Sequence, residues 1–316
     1  MRPFKIGTRG SALALWQART VAALLHAAGH TTELVVIKTG GDRLQERPLS
    51  ETGDKRLFVK EIEDALLAQD VDLAVHSAKD MSATLPAGLD IAAVLPREDP
   101  RDALVLPAGK AVSGFDAALA HLGATPTIAT SSIRRVAQLA AVLRRASFAP
   151  IRGNVDTRLR KLDEGGMDAL VLASAGMRRL GFANRISAAI PLDVCVPAPG
   201  QGIVAVEIRG DDGRTRAALQ SADDREAAIS LLAERAVVNA LGGGCQLPLG
   251  AIAIHDGGGL RMHGVVATPD GARTIRRTAE GPAGNPVAVG ERLAGELARG
   301  GGTEILDAVR SGSSGL

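Results

Sequence analysis

Tyrosine is absent from this 316-residue chain, and one Trp and five Phe are its only other large aromatics. With so few flat side chains for bases to stack on, single-stranded nucleic-acid recognition is poorly supported. Only two cysteines occur, Cys195 and Cys245. That excludes a disulfide framework and points to a reducing compartment. No apolar run approaches the roughly 20 residues that a membrane-spanning helix needs. The opening segment MRPFKIGTRGS has no apolar stretch behind its positive residues, so no secretory signal is expected and the cytoplasm is the expected location. The histidines and cysteines show neither CxxC nor HExxH spacing, so the common metal sites are not expected. No Walker loop is present and no GxGxxG follows a strand, which leaves nucleotide cofactors unsupported. What remains is a chain 46% hydrophobic and 23% charged, with net charge +2. Such a chain is globular, and its length suits two or three domains.

Hydrophobic periodicity supplies the fold class. Strand patterns at 3–8, 32–39 and 71–77 alternate with helical patterns at 12–28 and from Phe58 onward. After the charged, proline-containing break REDPRD (97–102), a second alternating set follows: strands at 127–130, 148–151 and 168–173, and helices at 132–143 and 155–162. Alternation of this kind predicts α/β units with mostly parallel sheets. VPAPGQG (196–202) is another crossing, with a strand at 203–208 beyond it. From Asp223 the order changes to one long helix, β-rich runs and two helices, a separate α+β part.

Charge is concentrated in the second set. Eight basic residues lie between Ser131 and Lys161 against one acid, Asp156. Seven of the eight are arginine, whose planar fork binds carboxylate or phosphate with two parallel hydrogen bonds. Ser131, Ser132, Arg134 and Arg135 sit where a strand passes into a helix, as do Arg152, Gly153 and Asn154. Helix starts favour anions, and the carboxyl ends of parallel strands are where open α/β sheets bind ligands. A solvated basic face and a site for a polyanionic small molecule both fit this pattern, with Arg144 and Arg145 the best candidates for the former. Arg9 and Ser11 occupy the equivalent junction in the first set, with Gln17 further along that helix and Lys55 near the next.

AVHSAKD (74–80) ends a strand with four polar residues. His76 alternates onto a buried face. Lys79 and Asp80 are candidate site groups, and an ionised Asp80 among cations would stabilise a developing positive charge. Cys245 follows three glycines in LGGGCQLPLG (241–250), directly after a helical pattern over 225–241 whose apolar face includes Ile229, Leu232, Ala233, Ala236 and Val237. A buried, inert thiol and a thiol presented to a bulky group both fit this loop. Cys195 reads as packing.

Side by side, these stretches resemble the porphobilinogen deaminase (hydroxymethylbilane synthase) family over nearly the whole chain. The matching stretches are TRGSALALWQA, LFVKEIEDALL, DLAVHSAKD, REDPRDAL, TSSIRRVAQL, RGNVDTRLRKL, LASAGMRRLG and PAPGQG, then Glu234-Arg235 and Gly243-Gly244-Cys245 with Pro248 and Gly250. The resemblance implies two α/β domains like the halves of type II periplasmic binding proteins, 1–98 with 201–220 and 99–200, and a smaller α+β domain, 221–316. It implies a dipyrromethane cofactor held through a thioether on Cys245. Porphobilinogen would be polymerised head to tail on that primer, four units per product with loss of ammonia, by a monomer that binds neither nucleic acid nor membrane.

Carried over residue by residue, the resemblance makes Asp80 catalytic, holding pyrrole N–H groups and stabilising the azafulvenium cation left when ammonia departs. Lys79, Ser131, Arg134, Arg135, Arg158 and Gly202 would hold the cofactor. Arg9, Ser11, Gln17, Lys55, Phe58, Arg152 and Arg179 would hold substrate, with Phe58 and the loop before it forming a mobile cover. The sequence departs from the family pattern at Gly53-Asp54-Lys55-Arg56, at Met81-Ser82 and at Val237-Val238. Two other classes also fit parts of the sequence. A two-lobed anion receptor explains the arginines but gives Cys245 no task, and a thiol hydrolase would need His255 or His263 beside Cys245.

Overall fold

The computed structural model of this protein describes residues 2–40, 59–110, 112, 114–242 and 247–312. Lys55, Phe58 and Cys245 lie outside the described residues, as do the polar loop expected before Phe58 and the last residues of the SGSSGL tail.

The chain begins with β1 (Phe4–Thr8), α1 (Ala12–Ala27), β2 (Thr32–Val36), α2 (Lys60–Leu67), β3 (Leu73–Ser77) and β4 (Leu89–Val94). α1 forms where its pattern predicts. Ser11 precedes it in extended conformation and its Oγ accepts the Ala14 N–H at 3.3 Å, satisfying a donor that the helix itself leaves unpaired. Ala14, Ala18, Val21, Ala22 and Leu25 then fall on the buried face.

The second unit follows as β5 (Asp102–Val105), α3 (Phe115–Ala120), β6 (Thr127–Ala129), α4 (Ile133–Val142), β7 (Ser147–Ala149), α5 (Val155–Asp163), β8 (Ala169–Ala173), α6 (Ser174–Arg179) and the two-residue β9 (Ala188–Ala189). β10 (Val204–Arg209) and α7 (Gly213–Leu219) return to the first unit. The remainder is α8 (Arg225–Ala240), β11 (Leu249–Asp256), β12 (Gly259–Ala267), β13 (Thr274–Pro282), α9 (Pro286–Arg299) and α10 (Gly302–Arg310).

Both five-stranded sheets have one topology. The first runs β2-β1-β3-β10-β4 and the second β7-β6-β8-β5-β9. In each, the second, first and third strands of the unit are parallel, and a strand belonging to the crossing lies antiparallel between the third and fourth. The sheets are therefore mixed, where alternation alone predicts mostly parallel ones. The chain crosses between the units twice, and each crossing enters its new sheet running opposite to the strands it joins.

The two crossings are clasped together. The Glu98 N–H donates to the Gly202 carbonyl at 3.1 Å. Gly202 has φ +90°, and a Cβ there would collide with the Glu98 carbonyl oxygen, so only glycine fits.

In the third unit, β11, β12 and β13 form an antiparallel sheet covered by α8 and α9. Gly290 of α9 lies so close to the Ala233 carbonyl of α8 that a side chain would separate the helices. β13 escapes pattern reading because only Ile275 and Ala279 of its nine residues are buried. α8 also departs from its expected face. Leu232 is 51% exposed, while Leu231 and Glu234 are buried. The helix turns one stripe to its own sheet and a second, containing Glu234, to the crossings.

Candidate active site

A cavity of about 460 Å³ lies where the three units meet. The first unit contributes the turn after β3, from Ala78 to Thr84. From the second come Ser132, Arg134 and Arg135 at the start of α4. The crossing adds Ala198, Pro199 and Gln201, and the third unit adds Leu231, Arg235, Val238, Asn239, Gly242, Leu247 and Leu249. Sequence reading named Lys79, Asp80, Arg134 and Arg135 from two separate motifs, and all four line this one cavity.

The arginine pair is held from behind. Arg134 and Arg135 are 4% and 7% exposed, and both bond Asp102, the first residue of β5, which is fully buried. Arg134 Nη1 donates to Asp102 Oδ2 at 2.7 Å and to the Val196 carbonyl at 2.7 Å. Arg135 reaches Oδ1 through Nε at 3.0 Å and Nη2 at 2.8 Å, and the Val171 carbonyl through Nη1 at 3.0 Å. Burial alone would raise the Asp102 pKa, but the two guanidiniums outweigh it and hold the carboxyl well below the usual range. Cys195 joins the same cluster, its thiol donating to Asp102 Oδ2 at 3.4 Å. Burial pushes that thiol up to about 12, so it stays protonated and unreactive. Its role exceeds packing.

Lys79 and Asp80 sit on a short 3-10 turn at the carboxyl end of β3. Burial lowers Lys79 to about 8, against the opposing pull of Asp80 and Asp102, and with Arg135 and Arg134 adding to the depression. Lys79 therefore still carries its charge at neutral pH but loses it just above, and an incoming carboxylate would hold that charge more firmly. Gln17 is buried, at 2% exposure. Its Nε2 donates to Ser77 Oγ at 2.9 Å, bracing the strand end just before the turn.

The other named residues that the structure describes lie outside the cavity wall. Ser131 spends its hydroxyl on the Ile151 backbone, donating to the carbonyl at 2.7 Å and accepting the N–H at 2.9 Å, which ties the two strand-to-helix junctions together. Arg158 donates to the Gly153 carbonyl at 2.8 Å. Burial and then repulsion from Arg135 and Arg152 lower it to about 10, so the cationic run continues from the cavity towards Arg152. Arg179 donates to the Gly202 carbonyl at 2.7 Å and stands 5.5 Å from the Trp16 ring, bridging the second unit to the first. Arg9 and Ser11 remain at the β1–α1 junction, with the Ser11 hydroxyl serving as a helix cap. His76 is a core histidine, 3.0 Å from the buried Glu207.

Sequence reading assigned no role to Asp102, Gln201, Arg97 or Glu234. Glu234 is fully buried and accepts from Arg97 Nη1 at 2.6 Å, Arg97 Nη2 at 3.2 Å, the Gly200 N–H at 2.6 Å and the Ala253 N–H at 2.8 Å. Arg235 next to it donates to the Ala83 carbonyl at 2.6 Å. This one stretch of α8 thus fastens the third unit to both crossings and to the turn beyond Asp80. The only sequence signal was the density of charge in REDPRD and the Glu-Arg pair itself.

Residues 4–217 match the family described as "Porphobilinogen deaminase, dipyromethane cofactor binding domain", and residues 228–299 match "Porphobilinogen deaminase, C-terminal domain". A porphobilinogen deaminase from Pelotomaculum thermopropionicum is 44% identical over 311 residues, covering 98% of this chain and 97% of that protein. One from Roseiflexus sp. (strain RS-1) is 46% identical over 303 residues, covering 95% and 97%. Among solved structures, substrate-binding domain 2 of Lactococcus lactis GlnP in its open conformation is 10% identical, covering 76% of this chain and 90% of that one at a TM-score of 0.42.

Proposed function

Since the chain belongs to the porphobilinogen deaminase family, we propose a division of labour among its residues for that family's reaction. The reaction joins four porphobilinogen molecules head to tail into hydroxymethylbilane, releasing ammonia at each addition, in tetrapyrrole biosynthesis. The cofactor is a dipyrromethane, which supplies the nucleophilic pyrrole end on which the chain grows. The cavity suits such a group. Among the described residues it carries the cations Lys79, Arg134, Arg135 and Arg235 with a single facing carboxylate, Asp80. Every pyrrole unit carries two carboxylates that need cationic partners.

The attachment point in this reading is Cys245. Gly242 and Leu247, the described residues on either side of it, both line the cavity. Lys79, Arg134 and Arg135 bind cofactor carboxylates there, and Arg158 extends the row. Ser131 and Gly202 shape the backbone around the cofactor. Asp80 accepts pyrrole N–H groups and offsets the positive charge that develops on substrate as ammonia leaves. Charge compensation placed in advance, inside a walled site, lowers a barrier more than the same charge in water would. Arg9, Ser11, Arg152 and Arg179 take substrate carboxylates, Gln17 braces the Ser77 end of the turn, and Lys55 and Phe58 belong to the cover. The observation that carries this reading is the convergence of the Lys79-Asp80 turn, the Arg134-Arg135 pair and both flanks of Cys245 on one cavity.

The domain limits 1–98 with 201–220, 99–200 and 221–316 belong to the same proposal, as do a cytoplasmic location and a monomeric state. Light scattering at several protein concentrations tests the last. Intact mass spectrometry tests the core of the reading. Purified protein should carry an adduct equal to a dipyrromethane, and Cys245→Ser should lack it. An unmodified wild-type chain from cells that make the cofactor would refute the assignment.

A further inference from the structure

We propose that Gln201 and Asp102 are positioning residues that hold Lys79 of the first unit and the Arg134-Arg135 pair of the second in one fixed frame, so that carboxylate recognition is set by a buried carboxamide and carboxylate in the crossings. This rests on the functional reading above and adds residues that reading does not use.

Gln201 is 1% exposed and sits on the second crossing. Its Nε2 donates to the Pro100 carbonyl at 2.7 Å and to Asp102 Oδ1 at 2.9 Å, both on the first crossing. With both amide hydrogens placed on acceptors, Oε1 is turned to Lys79 Nζ at 3.5 Å, a pure donor. The flipped amide would set oxygen against oxygen twice and nitrogen against an ammonium, so partner chemistry fixes the orientation. The main chain of Gln201 is pinned as well, its carbonyl accepting Arg97 Nε at 3.0 Å.

Asp102 is the node at the other end. Oδ1 receives Gln201 and Arg135, and Oδ2 receives Arg134 and the Cys195 thiol. With its acceptor sites filled, the carboxylate cannot rotate without breaking contacts to both crossings and to α4. The result is a continuous path from Lys79 through Gln201 and Asp102 to Arg134 and Arg135, spanning two units with no solvent-exposed member in its middle. Among the described residues the charged groups around Lys79 are Asp80 on its own turn, Asp102 from β5, Arg134 and Arg135 from α4, and Arg235 lining the cavity from α8. In that surrounding Asp80, the Gln201 side-chain carbonyl oxygen and the buried Asp102 all favour the lysine charge against burial and the arginines, and the last two do so from the crossings.

The test is the pH profile of kcat/KM for porphobilinogen, measured on holoenzyme of wild type, Gln201→Met and Asp102→Asn. Each variant should raise KM about tenfold, the scale of a lost hydrogen bond to a charged group. Each should also move the alkaline limb to lower pH. The shift should be roughly one unit for Asp102→Asn, which removes a full negative charge, and roughly half a unit for Gln201→Met, which removes a dipole. Gly290→Ala is the control, since it crowds α8 against α9 without touching Lys79, Gln201 or Asp102. It should lower thermal stability and leave the limb in place.

A limb that stays at the wild-type pH, or moves upward, in either folded variant overturns the inference, as does a limb that moves equally in Gly290→Ala. Should Asp102→Asn not fold, Gln201→Met decides by itself. A wild type that carries its adduct and turns over while the variants behave as controls removes this inference alone. A wild type without adduct removes the functional reading as well.

Discussion

Two pairs of arginines stand at neighbouring strand-to-helix junctions of one sheet, and their surroundings are opposite. Arg134 and Arg135 are buried and tied to the carboxylate of Asp102. Arg152 and Arg158 have no carboxylate partner among the described residues, and burial, then repulsion from Arg135 and Arg152, pushes Arg158 down to about 10. The first pair is fixed in place before any ligand arrives, with part of its charge already compensated. The second pair gains most from an incoming anion, because that anion removes an existing repulsion. One junction is thus built for orientation and the other for attraction, a distinction that the identical residue types conceal.

The contrast breaks most visibly on removing one partner of the buried cluster. Arg134→Leu should lower unfolding free energy by about 3–5 kcal/mol, because Asp102 is left buried with half its compensation. Urea denaturation reads this, and a loss under 1 kcal/mol would mean that Arg134 is not structural.

Arg152→Leu should do the reverse. Stability should remain within about 0.5 kcal/mol of wild type. Substrate or cofactor binding should weaken by about 1.5–3 kcal/mol, seen as a fall in kcat/KM of roughly ten- to a hundredfold. Unchanged kinetics would return Arg152 to the solvated face.

A smaller effect sharpens the comparison through pH. Lys79 has a folded value near 8 against 10.5 for the free side chain. Between those values the unfolded chain holds a proton that the folded chain has lost, so this lysine's contribution to stability rises with pH across that window. Binding of carboxylates falls across the same window as the cation disappears. Denaturation midpoints and kcat/KM measured from pH 7 to 10.5 should therefore diverge relative to a Lys79→Met variant, and parallel trends would contradict the assignment. The smallest effect belongs to Arg144→Ser with Arg145→Ser. These residues lie in the same basic stretch but are exposed, and both stability and kinetics should stay near wild type.

Much of this was legible in the sequence wherever a feature is local. Helix α1 follows from its 3.6-residue apolar spacing and from Ser11 as its cap, and the Lys79-Asp80 turn from polar residues that close an apolar strand. The Arg134-Arg135 pair announced itself by density of charge at a helix start. What stayed hidden was long-range. Asp102 meets Arg134 and Arg135 across 32 and 33 residues, and Arg97 meets Glu234 across 137. An acid among the charges of REDPRD carries no local sign that it will be fully buried. Leu232 was misplaced for a related reason. A helix that buries two stripes has no single apolar face, and its buried Glu234 reads as solvent-facing until Arg97 is brought to it. The mixed strand directions were hidden as well, because an apolar strand looks alike whichever way it runs.

The position of β10 governs the order in which the molecule can be completed. It lies between β3 and β4, paired to both, yet the chain supplies it only after all of the second unit has been made. Until then β3 and β4 each have an open edge where a partner belongs, and the first sheet exists as two fragments. The second unit is continuous in sequence, so it is the first body able to close during synthesis. The early strands must wait for about a hundred further residues, with the loop-closure cost and exposure to misassembly that such a delay brings. Assembly of the first sheet therefore ends with the strand that joins its two fragments. That strand follows directly from Gly202 and Gln201, so the crossing residues that frame the cationic site are set in place in the same event that completes the first sheet.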